Sequence, residues 1–302
     1  MAAAVPVVAV VGPTAAGKSD LAVELAAGLG GEIVNADSMQ VYRGMDIGTA
    51  KPTPEQRRRV PHHVIDVLDV TQPATVAEFQ RLARAAIEDC LARSVVPVVV
   101  GGSALYVRAV LDRFEFPGTD PAVRANLDRE LAVVGAAGMH ERLAALDPDT
   151  ATAILPTNGR RIVRALEVLE LTGQSFKATL PGLRYQYDHV VALGVAVQRD
   201  VLDRRIADRV ERMWQAGLVD EVRRLEAVGL RAGRTASRAL GYAQVLAFLA
   251  GEYGEDEART RTIRATRRFA RRQDSWFRKD PRIHWLAFDA DDLLDQALSR
   301  CR

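Results

Sequence analysis

Residues 7–29 constrain the fold most. An apolar run there ends in Gly12-Pro13-Thr14-Ala15-Ala16-Gly17-Lys18-Ser19, and Leu21, Leu25 and Leu29 follow at helical spacing. Strand, glycine loop and helix start, in that order, make a phosphate-binding P-loop. The glycines let the backbone bend so that successive N–H groups point inward at an anion. The positive end of the following helix adds to that field. Lys18 supplies a point charge, and the Ser19 hydroxyl can ligate Mg²⁺. The pattern specifies a phosphate; it does not specify ATP.

The chain beyond the loop keeps alternating strand and helix. Residues 32–35 read as a second strand ending before Asp37, and residues 64–67 as a third. A helix follows over about 75–93, then a buried strand over 95–102 that runs into a glycine turn and another helix. Such alternation implies an α/β fold, a parallel sheet covered on both faces, with ligands at the carboxyl ends of its strands. Gly12, Asp37 and Gly101 all follow strand ends and are expected to line one cleft. After residues 116–121 the spacing turns helical, with separate helices over 124–134, 139–146 and 159–172 and a loop over 179–185. A strand returns over 190–197, helices dominate to 279, and residues 282–288 read as a last strand. The expected organisation is a core of residues 1–117 and 189–302, with a basic helical C-terminal part, interrupted by an all-helical insertion at 118–188.

Composition bounds the class. The 302 residues are 48% hydrophobic, enough for a real core, and no apolar run approaches a membrane span. The first residues lack a basic stretch and lead straight into a strand, so no signal peptide is expected. Cys90 and Cys301 lie far apart, which argues against a zinc site or disulfide framework and fits a reducing, cytoplasmic setting. Net charge is only +2 and predicts nothing about partners. Its distribution is more informative: residues 259–279 carry nine basic residues and one acid, Asp274. That stretch reads either as a solvated basic helix or, with Phe269, Trp276 and Phe277 interleaved, as a surface for a phosphate backbone. Nothing demands an oligomer, so a monomer is expected.

A nucleotide hydrolase needs, besides the loop, an acid after a buried strand to hold Mg²⁺ and a group to position water. The best buried strand ends in "VVVGGS" without an acid, and Asp66 is only a substitute. Asp37 stands out instead. A carboxylate there can accept a proton from, or orient, an N–H or O–H nucleophile; an Asx turn or helix cap is the other reading. Ser103 is either an N-cap or a substrate contact. His62 and His63 have no partner at ligand spacing and are assigned no metal. The charged stretch 203–212 reads as solvated i,i+4 pairs, from which one arginine could reach a phosphate.

These residues resemble a known family, the bacterial tRNA dimethylallyltransferases (isopentenyl-diphosphate:tRNA transferases). The likeness runs through nearly the whole chain. It is carried by "GPTAAGKS", "DSMQVYRGMDIGTAKP", "GGSALYVRAV", "RRIVRALEV", "RIADRVERMWQAGLVDEV", "RALGYAQV" and "RRFARRQDSWFRKD". It implies a P-loop kinase-like core with a helical insertion, and transfer of a dimethylallyl group to the exocyclic N6 of the adenosine 3′ to the tRNA anticodon. The loop Gly12–Ser19 would then hold the diphosphate of dimethylallyl diphosphate, with Mg²⁺ at Ser19. By the same resemblance Asp37 acts as general base, Lys18 and Arg209 face the diphosphate, and Asp37, Ser38, Met39 and Gln40 grip the extruded base. Ser103 and Arg124 match positions near the tRNA, while Arg160, Arg161, Arg164, Arg268, Arg271 and Arg272 would contact the anticodon arm. One departure is Ala104 where the family usually has glycine; its Cβ disfavours positive φ. The rivals are a P-loop kinase of a small metabolite using ATP, a transferase acting on free adenine nucleotide, and a non-catalytic RNA-binding protein.

Overall fold

The computed structural model describes residues 5–176 and 182–302; residues 179–181 of the expected loop lie outside the described residues. The chain divides into two compact units, one made of the residues up to Asp112 and from Tyr185 onward, the other of Arg113–Arg184. The sheet unit begins with β1 (Val7–Val11), α1 (Lys18–Leu29), β2 (Glu32–Asn35), α2 (Pro54–Arg59), β3 (His62–His63), α3 (Val76–Ala92), β4 (Pro97–Gly101) and α4 (Ala104–Leu111). The helical unit contributes α5 (Pro121–Leu146), α6 (Pro148–Thr152) and α7 (Gly159–Thr172). The sheet unit resumes with β5 (Val190–Ala196), α8 (Arg199–Gln215), α9 (Leu218–Ala227), α10 (Tyr242–Leu249), α11 (Glu255–Phe277), β6 (Ile283–Ala287) and α12 (Leu293–Cys301).

The six strands of the described residues are all parallel, in the order β3-β2-β4-β1-β5-β6. β1 is a run of valine and alanine buried along its whole length, as a central parallel strand covered on both faces must be. Its side chains alternate between two cores. Val7, Ala9 and Val11 join Phe79 and Ile87 of α3, Val107 and Val110 of α4 and Tyr242 of α10. Val8 and Val10 join Leu21 and Leu25 of α1 and Ala297 of α12. Because β4 lies between β1 and β2, the turn after β4 has the glycine loop on one side and Asp37 on the other. Glycine is required there: a Cβ on Gly101 would come within 2.3 Å of the Ala36 carbonyl oxygen.

The third strand is displaced from the expected 64–67. Residues His62 and His63 pair with Ile33 and Val34, and the strand stops because Val64 and Asp66 turn into the left-handed region at φ 60 and 57. Within the helical unit α5 breaks at Gly135 (φ 74), so its halves stand where two helices were expected. Leu127, Met139, Leu143, Ile162 and Leu166 form that unit's own core. No helix of the described residues is long and apolar enough to cross a membrane.

Candidate active site

The glycine loop turns three times through positive φ, at Gly12 (140), Ala15 (64) and Gly17 (101). Gly17 occupies the N-cap of α1 and offers no side chain, so the first N–H groups of that helix remain available to an anion. Ala15 pays for its left-handed backbone, by roughly 1–2 kcal/mol, and is braced by Arg205, whose Nε donates to the Ala15 carbonyl at 2.8 Å. Lys18 Nζ folds back to the Pro13 carbonyl at 2.7 Å. Desolvation, then the nearby Arg209 charge, pull its pKa down to about 8, against the opposing pull of Asp37. The Arg209 guanidinium is likewise pushed below its ordinary value by burial, with Asp37 opposing. Lys18 and Arg209 are thus two desolvated cations on one pocket, an arrangement that favours negative charge there.

Asp37 follows β2. Its backbone N–H donates to Asn35 Oδ1 at 2.9 Å, and Asn35 Nδ2 donates to the carbonyls of Asp37 and Val64 at 3.1 and 2.9 Å. The Met39 N–H donates to Asp37 Oδ1 at 2.8 Å, which is an Asx turn. The two readings of Asp37 are therefore compatible. One carboxylate oxygen shapes the turn, and no described residue donates to the other. Ser103 stands at the N-cap position of α4, yet its hydroxyl caps nothing; it lies 3.5 Å from Ser38 Oγ. Ala104 opens α4 without a positive φ, so its methyl group strains nothing. Gln40 Nε2 donates to the carbonyls of Thr49 and Ala50 at 3.2 and 3.3 Å.

Thr14, Lys18, Ser19, Asp37, Gln40 and Arg209 line one open pocket, which Gly101, Gly102, His62, Phe269 and Gln273 also border. Asp66 is not the missing acid. Both its oxygens are engaged, one by the buried Lys51 at 2.6 Å and the other by Arg57 at 2.8 Å. His63 does have partners: Glu32 at 2.7 Å and, around the same point, Cys90. They come from β2 and α3, which spacing along the chain could not reveal. Arg93 holds both Glu32 oxygens, at 2.8 and 2.7 Å, and draws the Glu32 pKa down to about 2 with help from His63. A guanidinium in that position already supplies the positive charge a metal would bring.

Three further side chains were invisible to local pattern. Gln273 of α11 accepts from the Thr14 N–H at 2.8 Å and donates to the Gly102 carbonyl at 2.7 Å. Arg205 braces the loop as described. Glu221 of α9 accepts from the N–H groups of Asp46, Ile47 and Gly48 and from Tyr242 Oη at 2.5 Å, fixing the segment on which Gln40 rests. In α11 the exposed Arg268, Arg271 and Arg272 have no carboxylate partner among the described residues, and Arg272 lies over the Phe269 ring at 5.8 Å. In the helical unit Arg124 and Arg164 both pair with the buried Glu167, which also accepts from Thr119 at 2.6 Å; Arg164 further donates to the carbonyls of Pro117 and Gly118. Arg160 and Arg161 are exposed at the start of α7.

Fold and pocket together define a P-loop α/β protein that sets an anion cradle beside a carboxylate. Residues 40–280 match the family model described as IPP transferase. A tRNA dimethylallyltransferase of Thermobifida fusca is 65% identical, over 97% of this chain and 93% of its own length. The crystal structure of the tRNA isopentenylpyrophosphate transferase of Bacillus halodurans superposes with a TM-score of 0.72 at 39% identity, covering 97% of this chain and 94% of that one. A eukaryotic dimethylallyltransferase acting on tRNA superposes with a TM-score of 0.82 at 26% identity, over 98% and 77% of the two chains. The chain belongs to the IPP transferase family.

Proposed function

We propose that this chain transfers the dimethylallyl group of dimethylallyl diphosphate to the exocyclic N6 of the adenosine 3′-adjacent to the tRNA anticodon and releases diphosphate. The observation that carries the reading is the convergence of Lys18, Ser19, Asp37 and Arg209 on one pocket. The allylic C–O bond breaks and its electron pair leaves with the diphosphate, while the N6 lone pair forms the new C–N bond. The N–H groups of residues 12–19, with Lys18 and Arg209, stabilise the charge that develops on the departing diphosphate. The N6 amine is a weak nucleophile because its lone pair is delocalised into the ring, so orientation and proton removal both matter. The Asp37 oxygen outside the Asx turn accepts the N6 proton.

Ser19 is the protein ligand for Mg²⁺. Its hydroxyl has no partner among the described residues and sits on the first turn of α1, and hydroxyl, phosphate and water oxygens are the hard donors Mg²⁺ prefers. When bound, the ion supplies further neutralisation of the diphosphate. No carboxylate follows β4 to organise water, which favours transfer over hydrolysis and distinguishes the site from an ATP-driven one.

Ser38, Met39, Gln40 and Ser103 receive the extruded base and its neighbours, which an anticodon loop presents unpaired at small cost. Arg268, Arg271 and Arg272 meet the phosphates of the anticodon stem-loop, joined by Arg160 and Arg161. Arg124 and Arg164 shape the helical unit around Glu167 and present its loop to the RNA. The chain acts as a monomer in the cytoplasm.

The test is incubation with unmodified tRNA, labelled dimethylallyl diphosphate and Mg²⁺. Label should enter the RNA. With ATP as the only donor, neither phosphoryl transfer nor turnover should occur. Asp37→Ala should slow transfer by about 10²-fold or more with tRNA affinity little changed. Undiminished transfer in that variant removes Asp37 from the mechanism.

A further inference from the structure

α11 presents two faces within two turns. Phe269 and Gln273, four residues apart, both border the pocket, while Arg268, Arg271 and Arg272 point to solvent. Gln273 is buried, and both ends of its amide are engaged. Its oxygen holds the N–H of Thr14, and its Nε2 holds the carbonyl of Gly102. One side chain thus joins the glycine loop after β1 to the glycine turn after β4. The packing is close: a Cβ on Gly102 would lie 2.4 Å from Gln273 Nε2. A second connection runs in parallel. Arg267 donates to the Asp203 carbonyl of α8, and α8 carries Arg205, which holds the Ala15 carbonyl, and the pocket residue Arg209.

The consequence concerns competition. Thr14 lines the pocket, and its N–H, held by Gln273, belongs to the glycine loop that would receive the diphosphate. While Gln273 holds that N–H, this one loop donor is satisfied from within, and a diphosphate must displace the amide to use it. The residue that holds it sits on a stretch whose opposite face carries the exposed Arg268, Arg271 and Arg272. We propose that Gln273 is a positioning residue that latches the phosphate loop to α11, so that RNA docking on the basic face frees the Thr14 N–H and tightens diphosphate binding. This rests on the proposed function, in which α11 meets RNA and the loop holds diphosphate.

Inorganic pyrophosphate is titrated calorimetrically into the full chain, with and without a saturating unmodified anticodon stem-loop RNA. In the native chain RNA should tighten pyrophosphate binding about fivefold or more, the low end of ordinary coupling between sites. Gln273→Ala should bind pyrophosphate alone nearly as tightly as the native chain does with RNA, and RNA should then alter the affinity less than twofold. Gly102→Ala, whose new methyl displaces the Gln273 amide, should behave the same way and carries the test if Gln273→Ala does not fold. Both ligands binding the native chain without influencing each other, or coupling that survives in both variants, overturns the latch while leaving the proposed function standing. Failure of either ligand to bind the native chain at all removes the reading beneath it, and the latch with it.

Discussion

Lys18 is held in a place that disfavours its charge, and the pH dependence of that arrangement has a definite sign. In the unfolded chain it keeps its proton to the ordinary value of 10.5; in the folded chain it releases it near 8. Between those values the unfolded state binds more protons, so folding becomes more favourable as pH rises through that window. Anion binding needs the charge and weakens over the same rise. Pyrophosphate affinity of the native chain should fall by about tenfold per pH unit above 8 relative to Lys18→Arg, whose guanidinium does not titrate there. The ligand's own titration is common to both chains, so the ratio of affinities reports Lys18; a ratio independent of pH contradicts the role. Lys18 and the loop were legible in the sequence because the pattern is local, eight consecutive residues with their flanks. Gln273, Arg205 and Glu221 were not. They reach Thr14, Ala15 and Ile47 across 259, 190 and 174 positions of chain, and no local pattern records such contacts.

Among the elements, the segment 46–51 after the second strand depends most on remote support. Glu221 accepts from three consecutive N–H groups and from Tyr242, and Gly48 leaves no room for a side chain, since a Cβ would lie 2.4 Å from the Tyr242 ring. The buried Lys51 ties the segment's end to the Tyr42 carbonyl, Asp46 and Asp66. Glu221→Ala strands three partly buried N–H groups and the buried Tyr242 hydroxyl at about 1–3 kcal/mol each, so a loss on the order of 4 kcal/mol is expected in denaturant unfolding. Adenine-site function should fall with it, because Gln40 rests on the carbonyls of Thr49 and Ala50. A stability change under about 1 kcal/mol would show that water replaces the carboxylate freely. The same region explains the displaced third strand. "VIDV" (residues 64–67) reads as a strand, but the pull of Lys51 and Arg57 on Asp66 and of Asn35 on the Val64 carbonyl turns the chain there, and the pairing ends at His63. Where pattern and burial agree, as in β1 and α7, expectation and element coincide.

At the scale of the whole molecule, the helical unit has its own core and its own buried carboxylate. Glu167 collects Thr119, Arg124 and Arg164, which hold its pKa below the ordinary value despite burial. Glu167→Ala leaves two guanidiniums without their partner, which typically costs about 3–5 kcal/mol. Thermal unfolding should show that loss in the helical unit, and RNA affinity should drop. Pyrophosphate affinity, a property of the sheet unit, should stay within about twofold, as for sites that share no partners. An equal loss of both would mean that the units fold as one. The change of hydrophobic period after residues 116–121 is the sequence's signal for helices there. It did not distinguish arginines that build the unit from those left exposed, because Arg124 and Arg160 differ only in what they face after folding.

The most direct measurement is a crystal structure of the chain with an unreactive prenyl diphosphate analogue, Mg²⁺ and an anticodon stem-loop. The diphosphate should lie on the N–H groups of residues 12–19 beside Lys18 and Arg209, with adenine N6 within hydrogen-bond reach of the free Asp37 oxygen. Diphosphate bound elsewhere, with ATP seated and turned over in the glycine loop, would contradict it.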